Sequence, residues 1–221
     1  MATYLDRILA AHREQAAADL RPVSALVEEA RSRPPARGFA AALAGATGLG
    51  VIAEVKRRSP SKGDLHAGLD PAQVSTAYAA GGATCLSVLT DREWFGGSPE
   101  DLVAARAAVD LPVLRKDFTV CEADVCDART MGADAVLLIA AALDDAELAG
   151  FHQLVHEVGL RCARGDPRRG RARAGPRGGG HAGGREPARP GHLRGGHRSG
   201  RGWRRRCRRA WCGWPSPACG A

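Results

Sequence analysis

Glu54 and Lys56 stand two residues apart in a short apolar run, V-I-A-E-V-K-R-R-S-P-S-K-G, residues 51–63. In an extended strand the side chains at i and i+2 share a face, so a carboxylate and an ammonium would lie side by side. Burying both in ordinary core would cost several kcal/mol. Two arrangements avoid that cost: the mouth of a cavity, where the pair meets a ligand, or an exposed edge strand carrying a surface ion pair. The run ends in a turn through Ser59, Pro60, Ser61 and Gly63, with Lys62 inside it. A further lysine, Lys116, directly follows the apolar L-P-V-L-R and precedes Asp117 and Phe118. A lysine at a strand end can bind a phosphate or carboxylate. It can also act as a general acid or Schiff-base amine where its neighbours depress its pKa. The plainer role for Lys116 is a solvated charge beside Asp117.

Asp91 to Ser98, D-R-E-W-F-G-G-S, reads as a loop with adjacent aromatics and a glycine pair. Trp94 and Phe95 would suit a planar substrate, or would pack beneath the loop. His66, His152 and His156 form no ligand set; the last two are four residues apart but lack an H-E-x-x-H pattern, so no metal site is expected. The seven cysteines show no C-x-x-C spacing, which favours free thiols and a reducing, cytoplasmic location over disulfides or zinc.

These residues need elements to hold them. Apolar periodicity predicts helices over 3–19, capped by Thr3, and from Pro22 as the first helical residue, with a short third around 39–43. From Val51 a rhythm sets in. Strands are expected at 51–55, 84–89, 112–115 and 134–140. Each is followed by a helix, opened by Asp70-Pro71, by Ser98-Pro99-Glu100-Asp101, near residue 121 and near Asp144. Strand then helix, four times over, means parallel βα units. They fit a small doubly wound sheet or half of an eight-fold barrel. The polar residues gather at the C-terminal ends of the strands, the active end in both, and no G-x-G-x-x-G or Walker-type loop supports nucleotide binding. The barrel is the preferred reading.

The formal charge of +8 over 221 residues averages two unlike parts. Residues 163–221 hold sixteen Arg and two acids, a charge of +14; residues 1–162 hold 16 Lys+Arg against 22 Asp+Glu, a charge of −6. The tail has one Leu and no Ile, Val, Met or Phe, too little apolar surface to offset its ordering entropy. The expected organisation is a helical extension (1–48), the first half of a barrel (49–162) and a disordered Arg/Gly/Pro-rich tail (163–221). No apolar run has spanning length, so no membrane partner is expected. Arginines with Trp203, Trp211 and Trp214 could bind nucleic acid, although the tail has no RGG-like period.

The stretches V-I-A-E-V-K-R-R-S-P-S-K-G-D-L, L-S-V-L-T-D-x-x-W-F-G-G-S-x-E-D-L, L-P-V-L-R-K-D-F and G-A-D-A-V-L-L-I, taken in order from about Tyr4 to Leu160, resemble indole-3-glycerol-phosphate synthase. The resemblance implies a (β/α)8 barrel of the TIM type with an N-terminal helical extension. It implies a carboxy-lyase of tryptophan biosynthesis, without metal or organic cofactor. The substrate would be 1-(2-carboxyphenylamino)-1-deoxyribulose 5-phosphate, closed to an indole ring with loss of CO2 and water. It further implies Lys116 as general acid, Lys56 as the holder of the substrate's anionic groups and Glu54 as the carboxylate beside it. Ser59 would belong to the binding loop and Phe95 to the aromatic surface around the anthranilate ring.

The resemblance stops near Cys162, where the family would continue L-V-E-V-H with a catalytic carboxylate. Read from the second nucleotide of each codon, residues 163–174 permit L-V-E-I-H-D-E-A-E-L-E-R. A one-nucleotide frame change near codon 162 is therefore expected, with loss of activity. The alternative is a nucleic-acid-binding arm on an inert scaffold.

Overall fold

The computed structural model describes residues 3–165. The tail expected from position 163 lies outside the described residues from position 166 onward. Helix α1 (Tyr4–Ala18) opens on a capping box: the Thr3 hydroxyl accepts from the Asp6 amide at 3.2 Å, and the Asp6 carboxylate accepts from the Thr3 amide at 2.7 Å. Helix α2 spans Val23–Ser32. Pro22 is its N-cap, not its first helical residue: its ψ of 122° is extended while its carbonyl already accepts from Ala25 and Leu26. Helix α3 (Phe39–Gly45) follows the break at 33–38.

Strand β1 (Ile52–Val55) leads into a hairpin of β2 (Arg58–Ser59) and β3 (Gly63–Asp64) where the sequence suggests only a turn. Then come α4 (Pro71–Ala80), β4 (Cys85–Leu89), α5 (Arg92–Phe95), α6 (Pro99–Ala108), β5 (Val113–Lys116), α7 (Glu122–Thr130), β6 (Ala135–Ile139), α8 (Asp145–Glu157) and β7 (Arg161–Gly165). The stretch read as a loop over 91–98 thus contains one helical turn, because the Asp91 carboxylate accepts from the amides of Trp94 and Phe95.

The five longer strands form one parallel sheet in the order β1-β4-β5-β6-β7, each paired with its predecessor in the chain. The four expected strands are present, and a fifth, β7, runs across the composition boundary at 162/163 with Arg161 to Gly165 paired to Ala135 to Ile139. Ladder bonds come from backbone amides and carbonyls, which every residue of β7 carries whatever its side chain.

The alternation of side chains sorts the sheet into two faces. Leu86, Val88, Val113, Val136 and Leu138 pack against the helices together with Leu102, Val125 and Val155. Cys85, Leu114, Ala135 and Ala163 turn to the other face, where Phe39 of α3 covers them. The Cys85 thiol points to the Phe39 carbonyl at 3.7 Å. The N-terminal segment therefore contributes to the core: Phe39 of α3 covers one end of the inner face. The residues two further along β1 and β5 from Ile52 and Leu114 are Glu54 and Lys116. The strand period thus carries both onto that inner face, at its C-terminal end.

Candidate active site at the C-terminal strand ends

Glu54 sits between two ammonium groups. Its Oε1 accepts from Lys56 Nζ at 2.5 Å and its Oε2 from Lys116 Nζ at 3.2 Å. The lysines come from different strands. Glu54 pairs in register with Ser87 of β4, and Leu89 of β4 with Lys116 of β5, so one intervening strand sets the separation. The Tyr78 hydroxyl donates to the Glu54 carbonyl at 3.2 Å and ties α4 to β1 at this level. All three side chains remain about one third exposed, at 34 % for Glu54, 29 % for Lys56 and 35 % for Lys116, so solvent and a ligand can reach them. Burial pushes the Glu54 carboxyl up, but the hydrogen bond from Lys56 and the charges of Lys116 and Lys56 outweigh it, leaving it below the ordinary glutamate value. Two cations against one anion leave a net positive charge at the strand ends, suited to an anionic ligand. β1 is the edge strand of the described sheet, and Glu54 and Lys56 form a part-exposed ion pair at its C-terminal end, with a third charge recruited from β5.

A second cluster adjoins it. Asp117, next in the chain after Lys116, is buried and accepts from the Thr90 hydroxyl at 2.5 Å and from Arg115 at 3.0 Å. Arg115 also donates to Thr90 Oγ1 at 3.1 Å and to the Asp124 carbonyl at 2.7 Å. His12 of α1 reaches this network, with Nε2 2.9 Å from Asp91 Oδ2 and 3.9 Å from Asp117 Oδ1. The three groups present ligand-type atoms within 4.8 Å of one another. Those atoms are occupied, however: Asp91 caps α5, Asp117 accepts from Arg115, Thr90 and the Phe118 amide, and the Arg115 guanidinium already supplies positive charge.

The remaining candidates lie around these two clusters. Phe95 packs on Phe118 with ring centroids 6.3 Å apart, and Phe118, two residues after Lys116, lies 5.2 Å from the His12 ring. Trp94 is covered by the Arg7 guanidinium at 5.5 Å. Ser59 stands in the hairpin, where its hydroxyl accepts from the Lys62 amide at 3.2 Å. His152 and His156 pair with each other on α8, Nε2 to Nε2 at 3.3 Å. Burial pushes the thiols of Cys85, Cys121 and Cys126 up to about 11, which leaves them poor nucleophiles.

Sequence reasoning missed His12 and its partners. The signal was there: His12 follows Ile8, the one buried residue of α1, by four positions and so shares its face.

The family model for indole-3-glycerol phosphate synthase matches residues 5–162. The chain is 50% identical over 165 residues to an indole-3-glycerol phosphate synthase of Laribacter hongkongensis, an alignment covering 72% of this chain and 63% of that protein. It is 51% identical over 164 residues to the corresponding protein of Paenarthrobacter aurescens (72% and 60% covered) and 55% identical over 143 residues to that of Micrococcus luteus (63% and 53%). The chain thus spans between about half and two thirds of the length of these curated relatives. The five-stranded parallel sheet is part of the (β/α)8 barrel of that family, and the chain belongs to the indole-3-glycerol phosphate synthase family.

Proposed function

We propose that the strand-end cluster is the ring-closing site for 1-(2-carboxyphenylamino)-1-deoxyribulose 5-phosphate. The observation that carries this reading is the bridging of Glu54 by Lys56 and Lys116. Lys56 holds the anionic groups of the substrate. Lys116 is the general acid that protonates the departing hydroxyl, since a strand-end ammonium facing an anion can deliver a proton where charge develops. Glu54 stays ionised between the lysines and holds them apart until the substrate's own charge competes for them. Phe95, with Phe118, forms the wall against which the anthranilate ring lies, and Ser59 contributes from the hairpin. No step requires a metal or an organic cofactor, and the protein works in the cytoplasm without a nucleic-acid partner.

We further propose that residues 163–221 are a read-through in a shifted frame, and that this chain lacks synthase activity. In the shifted reading the family's catalytic carboxylate falls at position 165. The chain has Gly165 there, opposite Ile139 in the β6–β7 register, so the backbone is in place without the acid. Sequencing the gene around codon 162 and assaying both proteins tests the reading. The expected result is turnover by the frame-restored protein and none by the 221-residue chain. An intact reading frame beyond codon 162 overturns the frame proposal, turnover by the 221-residue chain overturns its inactivity, and a frame-restored protein without turnover overturns the assignment of the site.

A further inference from the structure

Helix α1 has fifteen residues and buries one of them, Ile8. Leu5, Leu9, Ala11 and Ala16 are half-buried beside it, and polar contacts add to this apolar hold. Arg13 grips Glu147 through both guanidinium nitrogens at 2.8 and 2.9 Å and donates to the Ala142 carbonyl at 3.1 Å. Arg7 lies over Trp94. Between these surface contacts, His12 is the one α1 side chain that reaches the buried carboxylates at the ends of β4 and β5.

We propose that His12 is a positioning residue: held as an imidazolium between Asp91 and Asp117, it clamps α1 across the ends of β4 and β5 and fixes the Lys116–Asp117–Phe118 segment in the orientation that faces Glu54. The charges around it favour the imidazolium. Asp91 faces it from the end of β4, Asp117 from the end of β5 with Arg115 bound behind, and Asp124 from α7. Asp19, Arg21, Cys121 and Asp127 line the same cleft. Burial works against the cation, but the Asp91 hydrogen bond and the charges of Asp117, Asp91 and Asp124 outweigh it, so His12 titrates above the ordinary histidine value. The same contact keeps Asp91 below the ordinary carboxylate value in spite of its burial.

The sign follows from linkage. A histidine whose pKa is raised on folding contributes stability that is complete below its unfolded value and lost as pH rises through the folded one. Docking of α1 is therefore firm below the ordinary histidine value and loosens as pH rises through the raised folded one. The positioning role rests on the proposed reaction in one respect, that Lys116 is its proton donor; the docking does not.

Hydrogen exchange of the 221-residue chain tests the clamp without reference to turnover. Protection factors for the peptide 4–18 are expected to fall roughly tenfold as pH rises from below the ordinary histidine value through the raised folded one, while those for 71–80 in α4 hold constant. His12→Gln lowers protection of 4–18 at every pH. His12→Lys, a cation throughout this range, restores protection and removes the pH dependence. A flat profile for the native chain overturns the proposal, as does a His12→Gln profile that matches the native one. Loss of protection in 71–80 as well under His12→Gln would make His12 a general folding residue and would equally end the positioning role.

Discussion

At the N-terminal end of the strands, charge is sealed in; in the Glu54–Lys56–Lys116 cluster at the C-terminal end, it is left within reach of solvent. Asp134, just before β6, has no exposed surface and accepts from the amides of Arg37 and Val113 at 2.7 and 2.8 Å and from Arg106 at 3.1 Å. Arg37 in turn donates to the carbonyls of Val109 and Leu111, and Arg129 to those of Val158 and Pro34. These are arginines, whose planar donors can satisfy several carbonyls at once and hold the break at 33–38 against the ends of the helices. Glu54, Lys56 and Lys116 are as closely paired, but each is about one third exposed and has lone pairs or protons left to offer. Two networks of similar charge therefore serve different ends: one fastens segments, and the other is open to exchange its partners for a ligand's.

That contrast can be broken experimentally. The largest effect is expected from Asp134→Ala, which strands two amides and the Arg106 guanidinium in the interior. The loss should be about 3–5 kcal/mol of unfolding free energy, read from urea melts, and a loss within the range of a surface substitution would erase the contrast. Lys116→Ala should do the converse. In the frame-restored protein it should lower turnover roughly 100- to 10,000-fold while changing stability by less than about 0.5 kcal/mol. Unchanged turnover would remove the proton-donor role. Gly97→Ala lies between the two in kind: a Cβ there would collide with the Leu89 carbonyl at the end of β4. It should cost about 1–3 kcal/mol and shift the α5 turn that carries Phe95, visible as altered Trp94 fluorescence.

The smallest effect is expected at Glu54. Its folded pKa is depressed, so its contribution is present above the ordinary glutamate value and lost as pH falls through the folded one. With the cluster a third exposed, Glu54→Gln should cost no more than about 1 kcal/mol at pH 7, and the difference from the native chain should vanish on acidification. A larger cost would place Glu54 with Asp134 as a structural group.

Much of this organisation is legible in the chain. The strands at 52–55, 85–89, 113–116 and 135–139 declare themselves as short apolar runs between helix stops and caps, because a strand covered on both faces requires apolar side chains along its length. β7 does not, because R-C-A-R-G carries no apolar alternation; its backbone pairs with β6, and Ala163 joins the inner-face cluster. The one-turn helix α5 is hidden for a related reason, since four residues show no periodicity and only the Asp91 cap defines them.

Local spacing alone determined that Glu54 and Lys56 lie side by side, and that Lys116 stands at the end of a strand, because a period of two leaves no other choice. Which way those faces turn was decided by tertiary structure. Phe39 covers one end of the inner face, and the placement of β4 between β1 and β5 brings Lys116 Nζ to the second oxygen of Glu54. The same holds for His12, separated by 79 residues from Asp91 and joined to it only when α1 lies across the strand ends. Contacts so distant in the chain depend on loop closure and shared burial, which no local pattern records.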